Sequence, residues 1–480
     1  MLVDDTAFVR SVMFLDRRKT ILFTFVLALS VLKTDANDLV NYDNETSVAT
    51  ENATHAAASE SEFPEDLFTE EQRKQGAIVL HVILALYCFA AIATVCTEYF
   101  LPTIRCICQD LKISDDVAAA TFMSTATASP ELFTNIIGTF ITKSDIGVGH
   151  VLGNAYYDMF FVAAVGGLAA KKDVLLDWWP ITRDCCIYLI VALTLTGIIW
   201  DGIVTTGETL ILLSLYVCYF IIMFCNRRII RFCREKFNIE MNDPVEDEEP
   251  KDYAINSRTI KEKNNLEVMD VLNPLAPPIP APKPLKERRK WWRTARNILL
   301  QPLFILMSLS IPDVRKDKVR KFYPVTFVMC VVWIGMSTYF GTWMISTIGE
   351  TIGVPDSVMG MVFMAAGGSV VEVYAVFYKV RRGECSIGLS NSMGCNSLDV
   401  TLCMALPWFV RCLIPQGETG ISHVLIKSPG IRFNCSLLVI SVVVLFAMLC
   451  CRRFKLNRIS GAVSLVIYIA VLSIAIAMET

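Results

Sequence analysis

Four acidic residues lie inside long apolar stretches of this 480-residue chain: Glu131, Asp158, Glu372 and Asp399. An ionisable side chain within hydrocarbon is costly unless it serves a cavity or a pathway. No basic residue stands near the same depth in these four stretches, so pairing within a helix does not explain the charges. Carboxylate oxygens are the ligands that hard cations such as Ca²⁺ prefer. The four positions therefore predict a cation site rather than structural ion pairs.

The acids recur in order because the chain contains an internal repeat. Residues 115–159 align without a gap with residues 356–400, and Glu131 then falls on Glu372 at a constant spacing of 241 positions (372 minus 131). The other acidic pair superposes at the same spacing. Duplicated membrane segments that share buried charge are typical of secondary transporters, whose site lies between two repeats.

Neutral oxygen donors accompany the acids at helical spacing. Thr127 and Asn154 each precede an acid of the first repeat by four residues, so each shares a helix face with it. Pro130 cannot donate its backbone N–H and is expected to loosen the helix beside the first acid. The predicted metal-binding set is Thr127, Glu131, Asn154, Asp158, Ser369, Glu372, Asn396 and Asp399.

Two further features of the first repeat receive structural interpretations. Gly147, Gly149 and Gly153 are expected to allow close contact between helices. His150 stands near a helix start with no zinc-type cluster around it, and we interpret it as structural.

The composition is that of a membrane protein. Hydrophobic residues make up 54% and charged residues 19% of the chain, and the mean hydropathy is +0.49. A net charge of −3 gives no reason to expect nucleic acid. Most of the 17 cysteines lie in apolar runs as small hydrophobes, although Cys412 and Cys435 flank a predicted external loop and are candidates for a disulfide. No nucleophile–base pair or phosphate loop indicates an enzyme, and no tightly bound cofactor is expected.

Ten apolar segments are each long enough to cross a bilayer as a helix. They are residues 76–102, 114–141, 146–170, 185–200, 205–225, 323–348, 357–380, 386–410, 431–451 and 459–478. Lys and Arg concentrate in alternate loops, which predicts five plus five helices with the amino terminus outside. The predicted fold is an all-α polytopic membrane protein of about ten transmembrane helices, arranged as two inverted five-helix repeats.

The remaining segments define the domain organisation. Residues 1–36 have a basic cluster followed by a short apolar run and are predicted to be a signal peptide, with an uncleaved helix as the alternative. Residues 37–75 carry two sequons and are expected to be an extracellular or luminal glycosylated segment. Residues 76–225 and 322–480 form the two five-helix halves, and residues 226–321 form a cytoplasmic loop.

The repeat motifs resemble those of the potassium-dependent sodium/calcium exchangers. In the first repeat the resemblance rests on Ser129-Pro130-Glu131-Leu132-Phe133 and Asp145-Ile146-Gly147-Val148-Gly149. In the second it rests on Phe363-Met364-Ala365-Ala366-Gly367 and Asn396-Ser397-Leu398-Asp399-Val400-Thr401. It extends over most of the chain from about Gln75 onward.

The resemblance implies an antiporter that moves Ca²⁺ together with K⁺ in exchange for Na⁺ by alternating access. Glu131 and Glu372 would be the central carboxylates for Ca²⁺ and Na⁺, and Asp399 would match the acid associated with K⁺ dependence. Thr127, Ser369 and Asn396 would supply supporting oxygens. The expected partners are these three ions and the lipid bilayer, with a second copy of the chain as a further candidate.

Several positions depart from the family pattern. Ala128, Gly368 and Cys395 replace hydroxyl residues, and Asn154 replaces a serine. Val371 stands where a proline is usual. Glu372 stands where aspartate is usual, and Asp158 where asparagine is usual. These changes remove neutral oxygens and add one carboxylate, which would alter ion affinity or ion number.

Two other functions stay open from the sequence. One is a cation/proton antiporter on the same scaffold, in which Asp158 or Glu372 exchanges protons. The other is a transport-deficient regulatory membrane protein. The plasma membrane is the expected location, with an internal membrane as the alternative.

Overall fold

The computed structural model describes residues 63–111, 122, 124–170, 173–176, 178–225, 300–315, 320–370, 372–373, 376–377, 380, 393–414 and 423–479. The predicted signal peptide, both sequons and most of the predicted cytoplasmic loop lie outside these residues. The chain divides into two compact units. Of the described residues, those within 63–83, 131–225 and 342–479 belong to unit 1, and those within 84–130 and 300–341 belong to unit 2.

The described residues are mainly helical. The helices are α1 (Glu70–Asp110), α2 (Ser129–Ile136), α3 (Ile146–Ala169), α4 (Trp178–Ile199), α5 (Thr206–Phe224), α6 (Leu300–Ser310), α7 (Tyr323–Ile352), α8 (Asp356–Met359, continued by a π-helical turn at Gly360–Met364 and by Ala365–Gly368), α9 (Met393–Leu413), α10 (Gly430–Cys451) and α11 (Arg458–Ala477). A short helical turn, Ser124–Thr127, precedes α2, and a π-helical turn, Ile137–Ile141, follows it. The prediction of an all-helical polytopic membrane protein is confirmed.

Eight helices within the described residues are long and apolar enough to span a membrane. They coincide with eight of the ten predicted segments. The other two predicted segments, residues 114–141 and 357–380, run through residues outside the described part, and their described portions are largely helical.

The first helix begins earlier than the sequence pattern predicts, at Glu70 rather than Gly76. Thr69 caps it, because its side chain accepts from the Gln72 backbone while the Gln72 side chain accepts from the Thr69 N–H. Because the first turn is polar, hydropathy alone did not predict this start. Gly76 instead marks a kink, with a φ of 129° that glycine adopts readily.

Two short antiparallel ladders join loops of unit 1, a feature that the all-helical prediction lacked. Strand β1 (Val174–Leu175) pairs with β4 (Lys455–Leu456), and β2 (Ile203–Val204) pairs with β3 (Val424–Leu425). These two-residue strands carry no periodic signal, and their partners are far apart in the chain.

The ladders fix the relative direction of α4 and α10, which pack against each other. Strand β1 precedes α4 and pairs with β4, which follows α10; β2 follows α4 and pairs with β3, which precedes α10. The two helices therefore run antiparallel. Because α4 is the fourth predicted segment and α10 the ninth, equivalent helices of the two halves have opposite directions, as an inverted repeat requires.

Glycines bring α3 into backbone contact with α8. A Cβ added to Gly149 would overlap the Ser357 carbonyl, and one added to Gly153 would overlap the Met361 carbonyl. From the facing side, a Cβ on Gly360 would overlap the carbonyl of Ile146. The expected close contact of the α3 glycines is thus observed, and it holds helices from the two repeats together.

The two cysteines considered for a disulfide are buried and free. The Cys412 thiol lies 3.5 Å from the Val204 carbonyl oxygen, to which it donates. A cysteine pair that flanks a loop in sequence is not necessarily bonded, and these two thiols do not form the disulfide considered.

Candidate ion-binding site

Both repeats interrupt their first helix at the same point. Ala128 separates the turn Ser124–Thr127 from α2, and Ser369 follows Gly368 at the equivalent position of α8. Glu131 and Glu372 each lie three residues beyond the interruption. The first turn of a helix leaves backbone N–H groups without intrahelical partners, and this end favours negative charge. The second repeat has this break without a proline, so the proline is not what creates it.

The second helix of each repeat contains a π-helical turn beside its acid. In α3 the turn spans Tyr157–Val162 and includes Asp158; in α9 it spans Asp399–Met404 and begins with Asp399. Under the 241-residue spacing, the two turns are offset by one residue. Because π-helical turns widen a helix locally and often occur at functional sites, both acids lie where the backbone is irregular.

The helices that carry these acids are the interior ones. In both α3 and α9, 78% of the most apolar window is buried, compared with 17% in α5. Asp158, Asp399 and Glu131 are 0%, 2% and 7% exposed, and Glu372 is half-buried. Three of the four carboxylates are therefore held inside the protein.

Asn154 links the two repeats through its side chain. Its Nδ2 donates to Oδ2 of Asp399 at 3.2 Å, and its Oδ1 accepts a hydrogen bond from the Ser369 hydroxyl. All three residues are at most 4% exposed. The second carboxylate oxygen of Asp399, Oδ1, has no hydrogen-bond partner among the described residues. This oxygen is available to a cation.

Acids of both repeats lie within electrostatic range of one thiol. Cys395 is within electrostatic range of Glu372, Asp399, Asp158 and Glu131. Asp399 also interacts with Glu131 and Glu372 directly through space. The sequence identified Cys395 only as a departure from the family pattern, whereas the structure places it within electrostatic range of all four acids.

Two of the predicted ligands are not placed at this cluster by any contact. The Thr127 hydroxyl donates to the Ser124 carbonyl at 2.9 Å within its own helical turn, and Thr127 belongs to unit 2. Asn396 is 1% exposed, and neither polar atom of its side chain has a hydrogen-bond partner in the described part of the chain.

Two residues at the cluster were missed in the sequence. Tyr188 of α4 is fully buried, and its hydroxyl lies within electrostatic range of Asp158 and Asp399. Asn135 donates from Nδ2 to the Glu131 carbonyl oxygen at 2.9 Å. A polar group in the middle of an apolar segment was the available signal in both cases.

A cavity of about 180 Å³ opens beside Asn135 on the face predicted to be external. Its lining includes Lys143, Asp145, Arg411 and Lys427. Because Asn135 also contacts the Glu131 backbone, this cavity borders the helix that carries the first acid.

Asp145 and Glu479 form a carboxylate clamp at this same face. The backbone N–H of Ser428 donates to Asp145 Oδ2 at 2.6 Å, and its hydroxyl donates to Glu479 Oε2. Glu479 also accepts from the Ser357 hydroxyl at 2.6 Å and from Asn434 Nδ2 at 2.9 Å. The clamp therefore joins the ends of α3, α8, α10 and α11.

Burial raises the pKa of Asp145 to about 6. Hydrogen bonds from the backbone of Ser428 and Lys427 oppose the shift, and the nearby Glu479 carboxylate adds to it. The clamp is thus most favourable when Asp145 carries a proton.

The chemistry of the cluster is that of hard-cation ligands. Four carboxylates lie with amide and hydroxyl oxygens in the interior, and such donors suit Ca²⁺, Na⁺ and K⁺. Within the residues that the structure describes, no three His, Cys, Asp or Glu side chains converge as a preformed metal cage.

Comparison with known proteins gives a consistent family. The profile of the sodium/calcium exchanger protein family matches residues 81–225 and 322–477. The human sodium/potassium/calcium exchanger 5 (Homo sapiens) is 33% identical over 90% of this chain and 90% of its own length. The mouse sodium/potassium/calcium exchanger 4 (Mus musculus) is 28% identical over 87% of this chain and 84% of its own.

Among solved structures, one of the sodium-calcium exchanger NCX_Mj, soaked with 2.5 mM Na⁺ and 0.1 mM Ca²⁺, matches at 16% identity. The match covers 83% of this chain and 98% of that one with a TM-score of 0.44, a likeness too distant to support statements about individual residues.

Proposed function

Because this chain belongs to the sodium/calcium exchanger protein family, we propose that it exchanges Na⁺ for Ca²⁺ and moves K⁺ together with Ca²⁺. One observation carries the proposal. Asp399, hydrogen-bonded to Asn154 of the other repeat, lies within electrostatic range of Glu131 and Glu372. Acids contributed by both repeats are thus available to one set of cations.

Each acid receives a role in this proposal. Glu131 and Glu372 are the central carboxylates for Ca²⁺ and Na⁺, since each follows a helix interruption in its repeat. Asp399 serves K⁺. Asp158 adds a fourth negative charge. Asn154, Ser369 and Asn396 are the neutral oxygen donors.

Alternating access suits the architecture. Interrupted helices expose backbone groups to ions, and inverted repeats allow one binding site to face either side of the membrane in turn. The sequential occupation of shared carboxylates would couple the ions, because Ca²⁺ and Na⁺ compete for the same oxygens.

We propose that the protein resides in the plasma membrane, with an internal membrane as the alternative, and has the following topology. Residues 1–36 act as a signal peptide, residues 37–75 face outside with glycans, and the loop 226–321 is cytoplasmic. Glycosidase treatment should increase gel mobility, and Asn44→Gln together with Asn52→Gln should abolish that increase. If glycosidase left the gel mobility of the wild-type protein at the cell surface unchanged, the proposed glycosylation would be wrong.

The exchange is tested by ⁴⁵Ca²⁺ uptake into Na⁺-loaded cells that express the chain, with external K⁺ present or replaced by Li⁺. We expect uptake that needs internal Na⁺ and external K⁺ and that is lost in Glu131→Gln. Surface biotinylation controls for abundance.

Other outcomes separate the alternatives. Na⁺-dependent uptake without K⁺ would keep the antiporter and remove the role given to Asp399. Uptake driven by a pH gradient and independent of Na⁺ would identify a cation/proton antiporter. A surface-expressed protein without flux under either gradient would favour a regulatory membrane protein.

A further inference from the structure

His150 lies on the helix face that points to the ion cluster. His150, Asn154 and Asp158 follow one another at intervals of four residues in α3, so their side chains share a face. Asn154 of this face reaches Ser369 and Asp399 of the second repeat. The imidazole is therefore the next polar group along the face that carries the bridge between repeats.

The imidazole is buried without a hydrogen-bond partner. His150 is 2% exposed, and in the described residues neither Nδ1 nor Nε2 has a partner. A neutral imidazole carries one donor and one acceptor, and leaving both unmet in a protein interior is unfavourable. A packing role alone does not explain why this position holds histidine rather than an apolar residue.

A small space connects this imidazole with Glu131. Nε2 of His150 is 3.4 Å, and Oε1 of Glu131 3.5 Å, from the point where a Cβ on Gly368 would lie. Both atoms thus flank the volume that the absent side chain leaves open. The space opens on Glu131, which is the only carboxylate among the nearest atoms of that point.

Comparison of the two repeats shows which side-chain group is missing at Gly368. At the 241-residue spacing, the residue equivalent to Gly368 is Thr127, so a hydroxyl present in the first repeat is absent from the second. The imidazole comes from the facing helix into the region of that absent group. Its N–H can donate to a carboxylate or to water on a bound cation, as a hydroxyl can.

We propose that His150 is a specificity-determining residue of the ion site, which supplies beside Glu131 the polar group that Gly368 lacks. This inference rests on the proposed exchange of Ca²⁺. It assigns to the imidazole a neutral hydrogen bond to the Glu131 carboxylate or to the water of the bound cation. It also explains glycine at 368, because a branched side chain there would meet the ring.

Three variants separate hydrogen bonding from packing. His150→Ala removes both, His150→Phe keeps a ring of similar size without polar atoms, and His150→Gln keeps a donor and an acceptor. We expect about a tenfold rise in half-saturating Ca²⁺ for Ala and Phe, the effect of losing one hydrogen bond to a charged group, and near-wild-type values for Gln. The preference for Ca²⁺ over the larger Ba²⁺ should fall in the same two variants.

A second pair of variants tests the complementarity of the two positions. Gly368→Ala should be tolerated, because the added Cβ makes only ordinary contacts at 3.4 and 3.5 Å. Gly368→Thr places further atoms against the imidazole and should lower uptake. Adding His150→Ser to Gly368→Thr should restore much of the uptake by removing the ring and keeping a hydroxyl.

Ca²⁺-dependent thermal stabilisation of the purified full-length protein provides a readout independent of exchange. If the His150→Phe variant matched the wild type in both uptake and stabilisation, the inference would be overturned while the proposed exchange would stand. A wild-type protein that is stabilised by Ca²⁺ but does not transport refutes the proposed exchange, and the midpoint of stabilisation still measures the effect of His150. Loss of both readouts in wild type would overturn both proposals.

Discussion

The two repeats place their acids at equivalent positions and surround them with different donors. Asp399 accepts from the Asn154 amide, and Asn154 in turn accepts from the Ser369 hydroxyl. The residues equivalent to Asn154 and Ser369 are Cys395 and Ala128. The same residue types therefore do not form an equivalent pair of hydrogen bonds around Asp158, the acid of the first repeat.

The position equivalent to Asn154 in the second repeat, which would serve the acid of the first repeat, holds Cys395. Asp158 is fully buried and lies within electrostatic range of the Cys395 thiol and the Tyr188 hydroxyl. A thiol is a much weaker donor than an amide. Symmetry thus holds for the backbone and for the carboxylates but not for the hydrogen bonds between them.

The difference has a consequence for transport. Inverted repeats exchange their conformations when a transporter changes the side to which its site opens. An interaction between the repeats that lacks a symmetry-equivalent counterpart stabilises the two access states unequally. We therefore expect the asymmetric bridge of Asn154 to set the balance between the states.

The largest effect is expected where the repeats are most alike. Glu131→Gln and Glu372→Gln should each lower Na⁺-dependent ⁴⁵Ca²⁺ uptake at least about 100-fold, because a neutral amide cannot balance the charge of a divalent cation. Glu71→Gln, an exposed residue of the first turn of α1, is the matched control. Full activity in only one of the two site variants would show that the repeats do not share the ion.

Equivalent glycines should differ in their tolerance of a methyl group. Gly153→Ala puts a Cβ into the Met361 backbone, whereas Gly394→Ala meets the Tyr219 hydroxyl at 2.8 Å, at the end of a side chain that can move. We expect a loss of about 3 kcal/mol for the first and a smaller loss for the second. Fluorescence-detected size exclusion after heating measures both. Equal losses would mean that the α3–α8 contact is not the tighter one.

Substituting Asn154 with cysteine makes the two repeats alike at this position. Asn154→Cys removes the amide donor to Asp399 and should lower uptake about tenfold, the value of one hydrogen bond to a charged acceptor. Cys395→Ser exchanges one small donor for another and should leave uptake within about twofold of wild type. If the Asn154→Cys variant transported Ca²⁺ normally, the asymmetric hydrogen bonds of Asn154 would have no effect on transport.

The smallest effect concerns the carboxylate clamp. The pKa of Asp145 is raised from 3.8 to about 6, so the folded protein binds a proton that the unfolded chain has lost. Its contribution to stability is full below about pH 4, falls as pH rises through 6 and is absent above. Asp145→Asn should therefore raise the Tm at pH 7.5 by about 1–4 °C and change it little at pH 4.5. A lower Tm at pH 7.5 would show that the ionised clamp is stabilising.

Hydropathy predicted the membrane helices and the buried acids, and an alignment of the chain with itself predicted the repeat. Both are read directly from the sequence, so Glu131 and Asp399 stood out without any structure. The α3 glycines were likewise visible because their spacing is regular.

What escaped prediction depends on contacts between distant segments. The Asn154–Asp399 bond joins residues 245 positions apart, and Ser428 meets Asp145 across 283. Tyr188 contributes a single polar hydroxyl to an apolar helix, and only the packing of that helix decides where the hydroxyl points. The ladders are two residues long, below the length at which alternation can be recognised. The sequence therefore predicted which residue types supply oxygen donors to the site, but not which residues bond to one another.

The matched π-helical turns bear on the history of the gene. A π-helical turn holds about one residue more than an α-helical turn, and the insertion of one residue is the simplest origin of such a turn. The turns at Tyr157–Val162 and Asp399–Met404 fall within one residue of equivalence, and Phe122 is π-helical, as is its equivalent Phe363. Parsimony places these insertions in the ancestral half-length gene, before duplication produced two copies. The ancestral five-helix protein then already had the irregular backbone beside its acids, and it would have assembled as an antiparallel pair.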